Sequence, residues 1–229
     1  MFYHAQTNTG GKIMARSIFV YGRSGSGKST AIKDLPKEST FIINVNGKEL
    51  PFKGANKFIQ HKTDSYETID VLLKKIDKEQ KHIKVVVIDD SQYLIVNHFM
   101  KSHSTAGKGN AIFSLYNDIG DKFWNLVYGI QFLRNDLTVV FLHHAESDET
   151  GFIKPKTIGK MLDDKVDLAG MFTIVFLAIR EGKENYFLTQ NDGNHQAKSP
   201  IGMFPDEKMP NDLSQILYFI NQYYNTEEV

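Results

Sequence analysis

The residues best suited to chemistry lie in a glycine-rich segment, GRSGSGKS, at positions 22–29. The segment matches the pattern G-x-x-x-x-G-K-[ST] in full, and it lies between an apolar run at 17–21 and a predicted short helix at about 28–35. Glycines let the backbone curl so that several N–H groups face one anion, and a helix N-terminus adds a favourable dipole. This context disfavours a chance glycine turn and predicts a phosphate-binding loop.

Two side chains of this loop have specific expected roles. Lys28 should reach the β- and γ-phosphates of a nucleoside triphosphate, and the hydroxyl of Ser29 should hold Mg²⁺. We therefore expect ATP and Mg²⁺ as the ligands. The residues expected to bind the nucleotide are Gly22, Arg23, Ser24, Gly25, Ser26, Gly27, Lys28, Ser29 and Thr30.

A second group of chemical interest closes the apolar run at 84–89. A run that is apolar throughout is typical of a central parallel strand buried on both faces. Asp89 at its end would place a carboxylate beside the Mg²⁺ shell, although without the phosphate-binding loop an ordinary buried strand capped by aspartate would be the simpler interpretation. Asp90 has two possible roles: it orients the attacking water, or it caps the helix that starts at Ser91.

The rest of the chain alternates apolar runs with helical patterns, which predicts an α/β fold with a mostly parallel sheet. We expect one domain over residues 17–229 after a polar leader at 1–16. The predicted strands are 17–21, 40–45, 84–89, 137–142, 172–179 and 186–189, the last two forming a C-terminal β-hairpin. The predicted helices are 28–35, 64–82, 92–101, 111–134, 158–162 and 213–223.

The composition excludes several classes of protein. Lys+Arg and Asp+Glu are both 27, so the net charge of zero excludes a wholly basic nucleic-acid coat but not a local basic patch. The absence of cysteine excludes disulfides and Cys-based zinc sites, and it is compatible with a cytoplasmic location. The chain has no run of about 18 apolar residues, so we expect no transmembrane helix.

Taken together, these features resemble RecA-like recombination ATPases, in particular a phage family of small single-strand-annealing ATPases that are often labelled AAA-family or phage nucleotide-binding proteins. The resemblance rests on YGRSGSGKST, TFIINVNGKELPF, VVVIDDSQYL, KTIGKMLDDKV and TQNDGNHQAKSP, which are spread from about residue 17 to 205. It implies a RecA-like fold and DNA-stimulated ATP hydrolysis. It also implies a homo-oligomeric ring or filament with ATP at subunit interfaces, in the cytoplasm of a host cell if the protein is phage-encoded.

The resemblance implies further catalytic residues. In such folds a polar residue at the end of the fourth strand touches the γ-phosphate; here His143 and His144 follow that strand. Adjacent strand residues point to opposite faces, so only one of the two can serve, and we favour His143. The alternative interpretation is a histidine that is simply satisfied at a strand end. The family's catalytic glutamate has no counterpart after the second strand. Either Glu49 or Asp90 takes its place, or hydrolysis is slow.

A cation from a neighbouring subunit is also implied by the resemblance. The chain has four arginines, at positions 16, 23, 134 and 180. The segment TQNDGNHQAKSP corresponds to the region that supplies a trans-acting lysine in RecA-like assemblies. Lys198 is therefore our candidate, with Arg180 second, and the alternative for Lys198 is a surface turn before Pro200.

Two polar, glycine-containing loops correspond to the DNA-facing loops of such ATPases, one at 103–110 and one at 145–159. Lysines in or beside them can neutralise phosphates without reading sequence, and Phe152 is a candidate base-stacking platform. Acidic residues in the second loop weaken this interpretation, and ordinary solvated loops remain the alternative. The candidate single-stranded DNA contacts are Lys101, Lys108, Phe152, Lys154, Lys156 and Lys160.

Three other functions remain open at this stage. A DnaB-like helicase or loader would share the same core, but 229 residues leave little room for the extra domain that such helicases need. A nucleotide-gated interaction module with negligible hydrolysis is suggested by the missing glutamate. A small-molecule kinase is disfavoured because the sequence shows no signature for binding an acceptor.

Overall fold

The computed structural model describes residues 14–107, 109–158 and 166–225. Its strands are β1 (Arg16–Gly22), β2 (Thr40–Asn44), β3 (Ile59–Lys62), β4 (Val85–Asp89), β5 (Thr138–Ser147), β6 (Ile153–Pro155), β7 (Ile174–Glu181), β8 (Glu184–Leu188) and β9 (Lys208–Pro210). Its α-helices are α1 (Tyr66–Glu79), α2 (Gln92–Ser102), α3 (Asn110–Gly129) and α4 (Leu213–Asn225). None of the helices in these ranges is long and apolar enough to cross a membrane.

The strands form one sheet in the order β3-β2-β4-β5-β1-β7-β8-β9, and β6 pairs with the end of β5. The pairings from β3 to β7 are parallel, whereas β8 and β9 add antiparallel strands at one edge. This confirms the predicted α/β fold with a mostly parallel sheet and a C-terminal hairpin. In this order β5 lies between β4, which ends in Asp89, and β1, which leads into the glycine-rich loop. The carboxyl ends of these three parallel strands therefore lie side by side.

Helices cover both faces of the sheet because the central strands are apolar on both sides. In β1, Phe19 and Tyr21 pack into a core with α1, α2 and α3. Ile18 and Val20, which point the other way, pack into a second core with α4 and with the short helix after the glycine-rich loop. The short helix Ser29–Ile32 after the glycine-rich loop therefore lies on the α4 face. A side chain at a strand end can reach the loop only if it points to this same face.

Several elements differ from the sequence-based prediction. The helix expected at 28–35 is a single 3₁₀ turn, Ser29–Ile32, because Ala31 N–H is shared between the carbonyls of Gly27 and Lys28 and Pro36 stops any continuation. The helix dipole expected at the loop is correspondingly small, and backbone N–H groups must bind an anion instead. The long helix ends at Gly129 rather than 134 and continues as a 3₁₀ turn. Most of the helix predicted at 158–162 lies outside the described residues.

Three short strands were not predicted. The exposed edge strand β3 follows β2 and contains the basic residues His61 and Lys62. β6 and β9 have only three residues each and pair with neighbours in antiparallel fashion. The segment expected to be an irregular polar loop after β5 is thus a β-hairpin, which we call the β5–β6 hairpin (residues 145–155).

Candidate nucleotide-binding site

The glycine-rich loop leaves the sheet at the carboxyl end of β1, where its shape depends on glycine. Gly25 and Gly27 adopt φ angles of 79° and 86°, which residues with a Cβ rarely adopt. A Cβ at Gly22 would lie 2.5 Å from the carbonyl oxygen of Ala178 on β7. The oxygen of the Ser26 side chain is buried in the loop and has no hydrogen-bond partner among the described residues. The loop therefore has the curl and the spare polar groups that a phosphate-binding cradle requires.

Lys28 lies across this loop and is only 6% exposed. Its ammonium donates to the carbonyl oxygens of Gly22 at 2.8 Å and Arg23 at 3.0 Å. Burial lowers the pKa of Lys28 to about 8, while the charges of Asp90 and Asp89 oppose that shift. The ammonium has three donors and uses two in these bonds, so one is left for an anion, and phosphate oxygens would restore the favourable surroundings that burial removes.

Ser29 and Asp89 meet as the predicted metal site requires. The Ser29 hydroxyl donates to Oδ1 of Asp89 at 2.8 Å. Burial and the nearby charge of Asp90 raise the pKa of Asp89 to about 6, although Ser29 and Lys28 partly compensate. A hydroxyl and a carboxylate are hard oxygen ligands of the kind Mg²⁺ prefers, and the ion would also neutralise the crowded carboxylates. These residues fit a Mg²⁺–nucleotide complex.

Asp90 has an unusual backbone. It is the one non-glycine residue of the described chain with a positive φ, 60°, a conformation that Asp tolerates better than most residues. Nε2 of His144 donates to its Oδ1 at 3.1 Å, and Lys48 lies 3.7 Å from Oδ2. Burial favours the neutral carboxyl, but His144 and Lys48 outweigh it, so that the pKa of Asp90 lies below its usual range. The carboxylate is thus kept ionised next to the metal site.

The two strand-end histidines have different surroundings. His144 is directly opposite Gly22 in the β1–β5 register and shares its face with the nucleotide loop. His143 points to the α3 face, is completely buried, and packs against Phe19 and Phe123. The structure therefore places His144, and not the favoured His143, beside the loop and Asp90.

His143 has a defined structural role. Its Nε2 lies 2.8 Å from the carbonyl oxygen of Lys156, and its Nδ1 lies 2.9 Å from the Ser91 hydroxyl. A carbonyl oxygen only accepts, so the ring carries its proton on Nε2 and accepts at Nδ1. Burial lowers the pKa of His143 to about 3, which keeps the ring neutral. His143 thus ties the end of the β5–β6 hairpin to the start of α2.

The family resemblance implies a glutamate at or just after the end of β2, where this chain has Asn44, Val45 and Asn46. Asn44 pairs with Asp89 in the β2–β4 register, but its side chain closes a turn by donating to the carbonyl of Lys48 and accepting from Gly47 N–H. Glu49 is exposed, and it is its neighbour Lys48 that contacts Asp90. Of the two candidates for this role, Asp90 is the carboxylate that the fold brings to the metal site.

The candidates for a trans-acting cation lie on the β7 side of the sheet. Lys198 is half-buried and its backbone pairs with Val175, near the beginning of β7. Arg180 is exposed near the end of β7, and its Nε donates to the carbonyl of Gly182 at 3.2 Å. Neither side chain contacts the loop of its own chain in the described structure, as a residue acting on a neighbour would require.

The candidate DNA-contacting residues are dispersed around two surface segments. Lys101 at the end of α2 is paired with Asp64 at 2.5 Å, and Lys154 on β6 is 3.6 Å from Glu146. Lys156 is exposed and follows β6 at the base of the β5–β6 hairpin, whereas Phe152 is half-buried near its tip. The two remaining candidates, Lys108 and Lys160, lie outside the described residues. Carboxylates thus compensate part of the positive charge that a DNA surface would use.

Two asparagines at the loop were missed by sequence reasoning. Asn211, just after β9, donates from Nδ2 to the carbonyl oxygen of Gly27 at 3.0 Å, and its own N–H contacts the carbonyl of Asn185 on β8. The Oδ1 atoms of both asparagines are buried without a hydrogen-bond partner in the described part of the chain. No local pattern signals them, because only the pairing of β8 and β9 brings them to the loop.

Replacing Gly27 by alanine is expected to damage both folding and nucleotide binding. A Cβ there would lie 2.0 Å from Nδ2 of Asn211 and 2.8 Å from Asn185, on a backbone with φ 86°. We expect a loss of about 2–4 kcal/mol in the free energy of unfolding, measured by denaturant titration. Gly54→Ala is the matched control, since Gly54 has φ 82° with nothing within 4 Å, and should lose only about 1 kcal/mol. Equal losses would contradict the close packing of the asparagines on the loop.

Comparison with known proteins agrees with this geometry. The AAA domain family matches residues 14–201, a range that includes the phosphate-binding loop, Asp89, Asp90 and both strand-end histidines. No curated protein matches the chain. ATP binding and hydrolysis are the activities that an AAA domain implies, and AAA ATPases typically use ATP with Mg²⁺. Because the match spans most of the sequence, the chain belongs to the AAA domain family of P-loop nucleoside triphosphatases.

Proposed function

We propose that this protein is a Mg²⁺-dependent ATPase that binds single-stranded DNA in phage-type recombination or annealing. The observation that carries the ATPase part is the convergence of Lys28, the Ser29–Asp89 pair and Asp90 at the ends of neighbouring strands. The DNA part is supported by the sequence resemblance and by the lysines at the end of α2 and in and after the β5–β6 hairpin. ATP would lie between neighbouring subunits, where Lys198 or Arg180 of the next copy supplies a further cation.

In this mechanism the loop N–H groups and Lys28 bind the phosphates. Ser29 and Asp89 would hold Mg²⁺, whose chemistry there would be neutralisation of the phosphate charge. Asp90 accepts a hydrogen bond from the attacking water and aligns it with the γ-phosphorus. As the new P–O bond forms, the bond from the γ-phosphorus to the β–γ bridging oxygen breaks, ADP leaves with that electron pair, and one proton of the water passes to an oxygen of the released phosphate. Catalysis comes mainly from positioning and electrostatic stabilisation.

The role of Asp90 is tested by Asp90→Asn. Asparagine tolerates the positive φ at this position and keeps the side-chain shape, so the fold should be retained. The loss of the negative acceptor should lower kcat roughly 100-fold with little change in ATP affinity. Measurement of kcat and of nucleotide binding by calorimetry separates these effects. A wild-type kcat in Asp90→Asn would show that Asp90 acts only at the start of α2 and not in catalysis.

The DNA part is tested at Lys156, which is exposed and makes no ion pair within the described ranges. If it contacts a backbone phosphate, Lys156→Ala should weaken binding of all sequences alike and reduce the slope of log K against log salt by roughly 0.7. Lys183→Ala, at the tip of the β7–β8 turn, removes an equal charge elsewhere and should leave the slope unchanged. Absence of single-stranded DNA binding at low salt with ATP present would overturn the DNA part of the proposal.

A nucleotide-gated module with negligible hydrolysis is the one competing function that an observation favours. Asn44 stands where a catalytic glutamate is implied, and its amide is consumed in the turn to Lys48. Such a module would bind ATP at the same loop and change shape without turnover. Phosphate release that disappears in Lys28→Ala excludes this alternative.

A further inference from the structure

The side chain of Arg23 links the phosphate-binding loop to the β5–β6 hairpin. Nη2 of Arg23 donates to the hydroxyl of Ser147 at 2.6 Å. Ser147 is the last residue of β5 and is paired with Ile153 of β6, so this contact reaches the tip of the hairpin. Arg23 is otherwise exposed, and it follows directly after Gly22, where the loop begins.

The same residue lies at the phosphate end of the site. Its carbonyl oxygen is 3.0 Å from the ammonium of Lys28, the group expected to bind the β- and γ-phosphates. A terminal phosphate held by Lys28 would therefore lie next to the Arg23 backbone, within reach of its own side chain. A guanidinium–phosphate contact joins two opposite charges and is often bidentate, whereas the Arg23–Ser147 bond is single and has a neutral acceptor. A terminal phosphate should outcompete Ser147 for Arg23.

We propose that Arg23 detects the terminal phosphate. Its guanidinium binds Ser147 when no γ-phosphate is present, and it releases Ser147 and binds the γ-phosphate when ATP is bound. The inference rests on the proposed function, because it requires a nucleoside triphosphate in the loop. Arg23 would then discriminate between nucleoside triphosphates and diphosphates, and the tip of the β5–β6 hairpin would respond to which of the two is bound.

Only the tip of the hairpin depends on this contact. Its base is held by Lys156, whose N–H donates to the carbonyl of His144 at 2.8 Å and whose carbonyl accepts from His143. The turn at the tip is closed by Asp148, whose carboxylate accepts from the N–H groups of Thr150 and Phe152. Ile153 is held separately, because its N–H donates to the carbonyl of Asn194 at 2.8 Å and its carbonyl accepts from the Tyr21 hydroxyl at 3.5 Å. Release of Ser147 would therefore loosen the turn between Ser147 and Ile153, together with Phe152, while Ile153 stays in place and the sheet stays closed.

The test combines nucleotide affinity with hydrogen exchange of the hairpin. Calorimetric titration of Mg²⁺ with ADP and with a non-hydrolysable ATP analogue gives the ratio of the two affinities. Arg23→Ala should reduce affinity for the triphosphate analogue at least 10-fold and leave ADP affinity unchanged, while Arg23→Lys should be intermediate because a lysine keeps the charge but not the fork. Ser147→Ala removes the competing partner and should raise the triphosphate-over-diphosphate ratio roughly 3- to 10-fold.

Hydrogen exchange provides the readout that a purely structural role would not change. In the wild-type chain, exchange of residues 147–153 should increase with the triphosphate analogue and not with ADP. In Arg23→Ala and in Ser147→Ala it should already be high without nucleotide, and the double variant should resemble either single one. Lys33→Ala, which removes an exposed positive charge close to the loop, is the control and should change neither readout.

The outcomes separate this inference from the proposed function. If Arg23→Ala weakens both nucleotides equally, or if the analogue leaves exchange at 147–153 unchanged while binding the wild-type chain, the assignment of Arg23 is wrong and the ATPase proposal stands. If the wild-type chain binds neither nucleotide, the proposed function fails and the role of Arg23 fails with it.

Discussion

Lys28→Ala is expected to abolish ATP turnover, with kcat reduced at least 100-fold. Lys28 is the buried cation that spans the loop, bonded to the carbonyls of Gly22 and Arg23. Replacing Lys28 by alanine removes the positive charge that would stabilise the negative charge developing on the β–γ bridging oxygen. It also leaves the carbonyls of Gly22 and Arg23 without their hydrogen-bond donor. Phosphate release from ATP with Mg²⁺ measures the effect directly.

Two further variants distinguish chemistry from folding. Lys28→Met keeps most of the side-chain volume without the charge, so it should fold like the wild-type chain and still lack turnover. Lys33→Ala, which changes a lysine paired with Asp34 on the surface, should keep wild-type kcat. Normal turnover in either Lys28 variant would move the nucleotide site away from this loop.

Asp89→Asn is expected to have opposite effects on activity and on stability. Because its pKa is raised to about 6 by burial and by Asp90, ionised Asp89 costs folding free energy at every pH above that value. Asparagine removes this cost while still accepting from Ser29, so the free energy of unfolding without nucleotide at pH 7 should rise by up to about 3 kcal/mol. Mg²⁺-dependent turnover should be lost, because an amide is a poor substitute for a carboxylate ligand.

The signature of Asp89→Asn is therefore a higher melting temperature without ligand together with a smaller shift on addition of Mg²⁺ and ATP. A ligand that binds only the folded state stabilises it in proportion to the logarithm of its concentration over Kd, so the wild-type chain should gain more stability than the variant. Asp136→Asn, at a surface pair with Lys84, is the matched control. Full Mg²⁺-dependent activity in Asp89→Asn would refute the metal assignment.

The phosphate-binding loop and the meeting of Ser29 with Asp89 could be predicted from the sequence because their determinants are local. Glycine, lysine and serine at fixed spacing specify the curl, and an apolar run ending in Asp89 specifies a buried strand whose end reaches the same edge of the sheet. The parallel arrangement also followed from the alternation of strand and helix patterns. These features need no knowledge of which distant residues pair.

What could not be predicted depends on nonlocal packing. Strand alternation shows that His143 and His144 face opposite sides, but not which side carries the nucleotide loop; the packing of Ile32 against the α4 face decides that. Asn185 and Asn211 reach Gly27 only through the short pairing of β8 with β9. Three-residue strands such as β9 have too little pattern to distinguish them from loops.

We propose above all that ATP is hydrolysed at this loop and that hydrolysis is coupled to single-stranded DNA binding. The most direct measurement is phosphate release from ATP with Mg²⁺, with and without single-stranded DNA, for the wild-type chain beside Lys28→Ala. We expect Mg²⁺-dependent release that increases with DNA and is absent in the variant. Binding of ATP without phosphate release in either condition would contradict hydrolysis, and equal release with and without DNA would contradict the DNA part.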